Sequence, residues 1–500
     1  MTLAQLNLAL LAGGAVILAS VGAARAAARI GLPSLLLFLA LGVALGEDGL
    51  GLDFENAQLA QNLGTAALAV ILVEGGLTTK WSDVRTVLAP AGVLATAGVG
   101  VSVAVTALGA HVLLGMDWQQ ALLLGAIVSS TDAAAVFAVL RTLPVPRRTA
   151  GLLEAESGFN DAPTVILVLL FATTPLAGTG ALGVAVNLGY QLATGGLIGL
   201  AVGLAGVAAL RRIALPASGL YPLATFSFGI VAFAAAGAVQ SSGFLAAYLA
   251  GILLGNAGLP HRSATRSFAE GLGWLAQIGL FVLLGLLITP SDLPGQVWPA
   301  IVVGTVLLVL ARPLSVVLCL VPFRTPWRHQ AFISWAGLRG AVPIVLATYP
   351  IVADVPGSEQ ILDVVFVAVV VFTLVQGPTL PAAARALGLV PSDATRELQV
   401  EVAPLDRLDA ELLTLAVPRG SRLHGVAVFE LRLPRPAVIS LIIRKGRTLV
   451  PDHATTLLAD DELIIVTGTA VRDATERRLR AVSRRGRLAR WFGETGAPIA

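Results

Sequence analysis

The stretch GLLEAESGFNDAP, residues 151–163, places three carboxylates and an asparagine inside an apolar segment. That segment, residues 151–174, is long enough to cross a bilayer, because a spanning helix needs about 20 residues. A charge at the centre of such a helix costs roughly 2.5 to 3.5 kcal/mol on insertion scales, so acids kept there indicate a use. The stretch therefore predicts a membrane protein with an intramembrane pathway for ions or protons.

The composition of the 500-residue chain agrees with this prediction. It is 56% hydrophobic and 13% charged, whereas soluble proteins are about 25% charged. The single Cys319 excludes an internal disulfide, and the five histidines have no metal-ligand spacing, so neither a cofactor nor a resident metal is expected. No basic stripe meets aromatic residues, which excludes a nucleic-acid partner and leaves membrane lipid. The chain is not expected to be an enzyme.

Apolar windows predict an all-α polytopic fold with about thirteen transmembrane helices. The first window is read as a retained helix rather than a signal peptide, because its first basic residue, Arg25, follows the apolar run. The windows lie near residues 3–24, 32–47, 60–78, 88–115, 119–141, 151–174, 182–210, 220–239, 243–258, 270–288, 297–320, 330–350 and 361–385.

Positive charges alternate between the predicted loops. Every second loop carries Arg or Lys, starting with Arg25 and ending with Arg385, whereas the loops between them carry only acids. By the positive-inside rule this places the N-terminus outside and the C-terminal tail in the cytoplasm. The odd number of helices also permits two inverted six-helix repeats, joined by helix 7.

Two helices at matching positions of these repeats carry polar interruptions. Helix 5 contains Ser129-Ser130-Thr131-Asp132, and helix 12 contains Gly337, Arg339, Gly340 and Pro343. Transporters with inverted repeats place such discontinuous helices near the membrane midplane, where substrates bind.

The acids of helices 5 and 6 are predicted to meet at mid-membrane. Asp161 lies about ten residues, or roughly 15 Å, from the cytoplasmic end of its helix, and Asp132 reaches a similar depth from the other side. Ser157 shares a helix face with Asp161. The expected site is an all-oxygen cage for an alkali cation, formed by Asp161, Asp132, Ser157, the Thr131 carbonyl and Glu74.

Other charged groups of the membrane segments have supporting or open roles. Glu156 and Asn160 form a second i,i+4 pair on helix 6, and Glu156 is expected to pair with Arg339, each neutralising the other in low dielectric. Glu74 lies six residues before Lys80. Instead of binding the ion, its carboxylate could therefore lie at the inner membrane interface. Arg312 is either a second internal cation or a snorkelling side chain.

A buried carboxylate of this kind binds two competing ligands. Burial favours its protonated form and a bound cation favours its ionised form, so a proton and a metal ion exclude each other. If the binding site switches its exposure between the two sides of the membrane only when it is occupied, the gradient of one ion drives the transport of the other. The alternatives are a symporter of an organic anion, which would need a further basic or aromatic pocket, and a gated cation channel, which would need weak multi-site binding.

Three motifs carry a family resemblance over residues 1–390: SSTDAAAV at 129–136, EAESGFND at 154–161 and GLRGAV at 337–342. With them the chain resembles the NhaP-like monovalent cation:proton antiporters. The resemblance implies a homodimer with crossed discontinuous helices and elevator-like alternating access. It further implies that Asp161 binds the ion, that Asn160 makes the exchange electroneutral, and that Glu156 and Arg339 form a structural pair.

The tail after Pro391 is polar, with 17 of the 33 basic residues and 14 of the 30 acids. Apolar runs at 411–417, 438–443, 448–450 and 463–467, with a hairpin turn at 444–447, predict a small cytoplasmic α+β domain. Residues 399–470 resemble a TrkA-C or RCK-C domain. Such domains dimerise and in some proteins bind small ligands such as cyclic di-AMP, so both a regulatory role and a passive dimerisation role remain open. Residues 471–500 are a basic helix or tail that either contacts anionic lipid or is disordered.

The expected function is thus antiport of K⁺ or Na⁺ against H⁺ across a bacterial inner membrane, serving pH and cation homeostasis. The TrkA-C resemblance tilts the choice slightly to K⁺.

Overall fold

The structure is a computed structural model that describes residues 2–30, 33–52, 54, 56–132, 145–173, 181–389, 400–405, 410–418, 420–444 and 446–490. It divides into two compact units, Met1–Leu259 with Ala264–Val390, and Pro391–Ala500 with Pro260–Ser263. The α-helices that the structure describes in the first unit are α1 Leu3–Ile30, α2 Ser34–Leu45, α3 Ala57–Thr78, α4 Trp81–Val84, α5 Leu88–Val93, α6 Val99–Leu114, α7 Trp118–Ser129, α8 Arg147–Thr173, α9 Ala181–Arg212, α10 Leu220–Ala238, α11 Gly243–Asn256, α12 Arg262–Leu286, α13 Val297–Thr305, α14 Arg312–Leu320, α15 Trp327–Trp335, α16 Ala341–Val352 and α17 Ser358–Ala386.

The first unit is a helical membrane domain. Eight of its described helical segments are long and apolar enough to cross a membrane, and four more, α2, α7, α11 and α16, are apolar but shorter. Large apolar side chains such as Leu18, Leu182 and Leu204 are exposed on the outer helices, as expected for side chains that face lipid. The chain is therefore a multi-pass membrane protein. The count of thirteen crossings and the inverted repeats stay predictions.

Two helices are interrupted in the described part of the chain. Helix α7 ends at Ser129, and Ser130 is extended with φ −64° and ψ 142°. The remainder of the predicted helix 119–141, from residue 133 onward, lies outside the described residues. In the other interruption, α15 ends at Trp335 and α16 begins at Ala341, which confirms the break expected around Gly337 and Gly340.

Among its described residues, this unit has two π-helical segments within long helices. Leu94–Gly98 joins α5 to α6, and Val306–Ala311 joins α13 to α14. A π-helical turn holds more residues than an α-helical one and changes the face that the following residues occupy. The second segment ends directly before Arg312, so it determines the direction of that side chain.

The second unit contains a five-stranded antiparallel sheet, with strand order β1-β2-β5-β3-β4. Its elements are β1 Val400–Leu405, β2 Ala410–Ala416, α18 Val428–Leu431, β3 Val438–Arg444, β4 Arg447–Leu449, β5 Glu462–Gly468 and α19 Arg472–Arg485. The four predicted apolar runs correspond to β2, β3, β4 and β5. Arg444 pairs with Arg447, which confirms the hairpin, although Lys445 lies outside the described residues.

Helix α19 packs into the core of the second unit. Its Leu479 and Val482 are fully buried together with Leu413, Ile442 and Ile465 of the sheet. The basic residues of the helix therefore surround an apolar stripe that holds it against the strands. Residues 491–500, the end of the segment expected either to contact anionic lipid or to be disordered, lie outside the described residues.

Candidate ion-binding site

The two helix interruptions meet through backbone contacts. The Asp132 N–H donates to the Leu338 carbonyl at 2.9 Å, and Asp132 Oδ2 accepts from the Ala341 N–H at 3.2 Å. Ala341 is the first residue of α16, so a carboxylate compensates the positive end of that helix dipole. Only glycine fits at position 340, because a Cβ there would lie 1.6 Å from Asp132 Oδ2.

Helix α8 places its polar residues against the interruption after α7. Ser130 Oγ donates to Asp161 Oδ1 at 2.7 Å. Asn160 Nδ2 donates to Thr131 Oγ1 at 2.6 Å, and Ser157 Oγ donates to the Thr131 carbonyl at 2.8 Å.

The hydroxyls of Thr131 and Ser157 have a defined hydrogen-bond direction. They lie 3.0 Å apart. Since Thr131 Oγ1 accepts from Asn160 and Ser157 gives its hydrogen to the Thr131 carbonyl, Thr131 donates to Ser157. The hydrogen bonds at the break therefore run in one direction. The uncharged Asn160 amide donates to the Thr131 hydroxyl, which donates to Ser157, which donates to the Thr131 carbonyl. Each of these side chains is at most 5% exposed, as are those of Asp132 and Asp161.

Asp132 and Asp161 line one cavity of about 20 Å³, which is enough room for about one water molecule. Helices α3, α11, α12 and α16 supply the remaining wall, with Tyr248, Gln277 and Phe281 among the lining residues. The charged residues that line the described part of the cavity are Asp132, Glu154 and Asp161, and all are acidic. A cavity of this kind suits a small cation rather than an anion.

Glu74 lies at the edge of this arrangement. Its neighbour Gly75 lines the cavity, whereas the Glu74 side chain is half-buried against Gly273 of α12, where a Cβ would lie 3.0 Å from Glu74 Cγ. The structure thus brings together Asp132, Asp161, Thr131 and Ser157 and places the Glu74 carboxylate against a neighbouring helix.

The prediction that Glu156 pairs with Arg339 is wrong. Glu156 instead pairs with Arg312 through both of its oxygens, Oε1 with Nη1 and Oε2 with Nη2, the latter at 2.8 Å. Glu156 is 2% and Arg312 3% exposed, so this bidentate pair is buried. Arg312 Nη2 also donates to the Ile333 carbonyl near the end of α15 at 3.4 Å.

Arg339 has a different set of partners. Its Nε donates to the Val128 carbonyl at 3.2 Å, and its Nη1 donates to the Gly337 carbonyl. Val128 lies in the last turn of α7, where carbonyls lack partners within the helix. The cation therefore compensates the negative end of the α7 dipole. Its Nη2 has no hydrogen-bond partner in the described part of the chain.

Several contributors were not assigned from the sequence, among them Ser130 as donor to Asp161, Arg312 as partner of Glu156, and Tyr248 as a lining residue. The sequence contained a cue to the role of Ser130, since this residue directly precedes Thr131 and Asp132 in a polar run. Tyr248 lies on a distant apolar helix and had none.

Two protein families match this chain, one in each unit. Residues 16–386 match the transmembrane sodium/hydrogen exchanger family, and residues 412–480 match the TrkA-C domain. The chain belongs to the sodium/hydrogen exchanger family. This exchanger is 39% identical over 471 residues to the K⁺/H⁺ antiporter NhaP of Alkalimonas amylolytica. The aligned region covers 92% of this chain and 81% of that protein. It is 36% identical to the K⁺/H⁺ antiporter NhaP2 of Shewanella oneidensis, over 93% and 82% of the two chains.

The solved structures agree with the fold of the exchanger. The sodium proton antiporter MjNhaP1 of Methanocaldococcus jannaschii matches with a TM-score of 0.67 at 22% identity, over 76% of this chain and 99% of that chain. The predicted NhaP-like resemblance and the TrkA-C resemblance are thereby confirmed. The named relatives are transporters rather than enzymes.

Proposed function

We propose that this exchanger carries out secondary antiport of K⁺ against H⁺ by alternating access. The observation that carries the proposal is that Asp132 and Asp161 line one buried cavity whose described charged residues are all acidic. A symporter of an organic anion would need a cationic group in that cavity, and the guanidinium of Arg312 is instead paired with Glu156. The choice of K⁺ rests on the names of two relatives that match over more than nine-tenths of the chain.

Asp161 is the exchanging group of this mechanism. Its carboxylate binds either a proton or the cation, with Asp132, Ser157 and the Thr131 carbonyl supplying further oxygens. Asp132 accepts a backbone N–H at a helix N-terminus, so its carboxylate lies against the positive end of that helix dipole. Glu74 joins the cage only in a state where its side chain turns from Gly273 toward the cavity.

The exchange is electroneutral. Asn160 next to Asp161 is uncharged and donates to Thr131, so it titrates no proton. One carboxylate that exchanges one H⁺ for one monovalent cation moves no net charge.

The proposed architecture has thirteen helices in two inverted six-helix repeats, with the N-terminus outside and the C-terminal unit in the cytoplasm. The protein is a homodimer in the bacterial inner membrane and serves pH and cation homeostasis. The TrkA-C domain regulates transport, with a small ligand such as cyclic di-AMP as the candidate effector.

Dye-based proton transport in everted vesicles tests this proposal. K⁺, Na⁺ and Li⁺ are added separately to energised vesicles with and without the protein. We expect K⁺ to dissipate the pH gradient at the lowest concentration, with an initial rate unchanged when thiocyanate collapses the membrane potential. A protein-dependent response to none of the three cations would remove the antiport assignment, and a response to Na⁺ alone would remove the choice of K⁺.

A further inference from the structure

Tyr248 of α11 is a buried polar residue outside the set of groups that bind the ion or proton at Asp161. It is 2% exposed and lines the cavity together with Asp161. Its hydroxyl makes no hydrogen bond of ordinary geometry. Thr79 lies near this hydroxyl, and because the Thr79 hydroxyl donates its own hydrogen to the Gly75 carbonyl at 2.6 Å, it can only accept from Tyr248. The Tyr248 oxygen therefore receives no hydrogen bond from the described residues. Buried polar atoms nearly always have a partner, so an unused acceptor oxygen in a cavity indicates a ligand.

The phenol ring is fixed against α8 at a single position. A Cβ at Gly158 would lie 2.4 Å from Tyr248 Cζ, so the ring occupies the space that any other side chain there would take. Phe159 holds the ring edge-on, with the ring centroids 5.5 Å apart. Tyr248 is therefore packed closely against α8 at Gly158 and Phe159.

The position of the ring lies between two acids of the cavity. Residues 154, 158 and 161 are spaced by four and three positions, which places them on one face of α8. Glu154 and Asp161 both line the cavity, and Tyr248 packs on Gly158 between them. A cation that moved along this face of α8 from Glu154 to Asp161 would come close to Tyr248.

We propose that the Tyr248 hydroxyl is a further cation ligand, which binds the alkali ion between Glu154 and Asp161 and replaces one water of its hydration shell. This inference rests on the proposed antiport. A hydroxyl oxygen is a neutral ligand that suits a hard monovalent ion, as the Ser157 and Thr131 oxygens do deeper in the site. Its loss weakens cation binding and leaves the proton chemistry of Asp161 intact.

The Tyr248→Phe exchanger tests this inference, since it keeps the ring on Gly158 and removes only the oxygen. We expect the apparent KM for K⁺ in everted vesicles to rise about fivefold, the effect of losing one polar contact. The maximal rate and its pH profile remain those of the wild type. Tyr190→Phe is the matched control, because Tyr190 is 54% exposed on α9 and its KM is expected to stay unchanged.

A second variant separates ligand from packing effects. Gly158→Ala displaces the ring and is expected to lower the maximal rate, whereas Tyr248→Phe changes the KM alone. If the wild type transports and Tyr248→Phe has the same KM for K⁺, this inference is overturned and the antiport proposal stays in place. A wild type without any cation response overturns both.

Discussion

Asp161→Asn is expected to reduce cation-driven proton movement to the level of vesicles without the protein. Asparagine keeps the shape of the side chain, and its carbonyl oxygen still accepts from Ser130, which is 2.7 Å from Asp161 Oδ1. It neither binds a proton nor carries the charge that holds a cation in a cavity of low dielectric. The variant should therefore fold and fail to transport, as dye measurements with K⁺, Na⁺ and Li⁺ would show.

The control for Asp161→Asn is the same change at Asp473, whose side chain is 71% exposed on the second unit. Both variants should elute from gel filtration in detergent as the wild type does, and Asp473→Asn should transport normally. A proton signal that persists in Asp161→Asn would contradict the assignment of Asp161 as the exchanging group.

Arg312→Met is expected to give the largest loss of stability. Removing the cation leaves the Glu156 carboxylate buried and unpaired, and breaking a buried pair in this way costs about 3 to 5 kcal/mol. The melting temperature of the protein in detergent should fall accordingly. Replacing both partners, Arg312→Met with Glu156→Leu, should recover most of the loss, because no unpaired charge then remains.

A double-mutant cycle separates the two arginines. We expect strong coupling between Glu156→Leu and Arg312→Met, and much weaker coupling between Glu156→Leu and Arg339→Met. Contacting residues show interaction energies of about 0.5 to 3 kcal/mol in such cycles. Equal coupling of Glu156 to both arginines would contradict the pairing seen here.

The sequence was sufficient to predict the helix breaks and the acids that meet there. Interruptions by serine, threonine and glycine inside apolar segments are local signals, and the depth of an acid follows from counting residues along a helix. Ser157 could be placed in the same way, because its i,i+4 spacing from Asp161 fixes a shared helix face. The same spacing grouped Asn160 with Glu156, whereas Asn160 donates to Thr131 beside Ser157.

The partner of Glu156 could not be predicted, because it depends on helix register. Counting with 3.6 residues per turn does not account for the π-helical segment Val306–Ala311, which precedes Arg312 and changes the face on which it lies. Arg339 lies in the break between α15 and α16, where its side chain donates to the carbonyls of Val128 and Gly337. Tyr248 reaches the cavity only through tertiary packing of α11 on α8, which no local pattern encodes.

The most direct test of the account is the pH dependence of the apparent KM for K⁺ in vesicles containing the wild-type protein. If H⁺ and K⁺ compete for the Asp161 carboxylate, this KM should rise by about tenfold for each unit of falling pH once the protonated form predominates. The maximal rate at saturating K⁺ should stay constant. A KM that is the same at every pH, with only the maximal rate changing, would contradict a shared site.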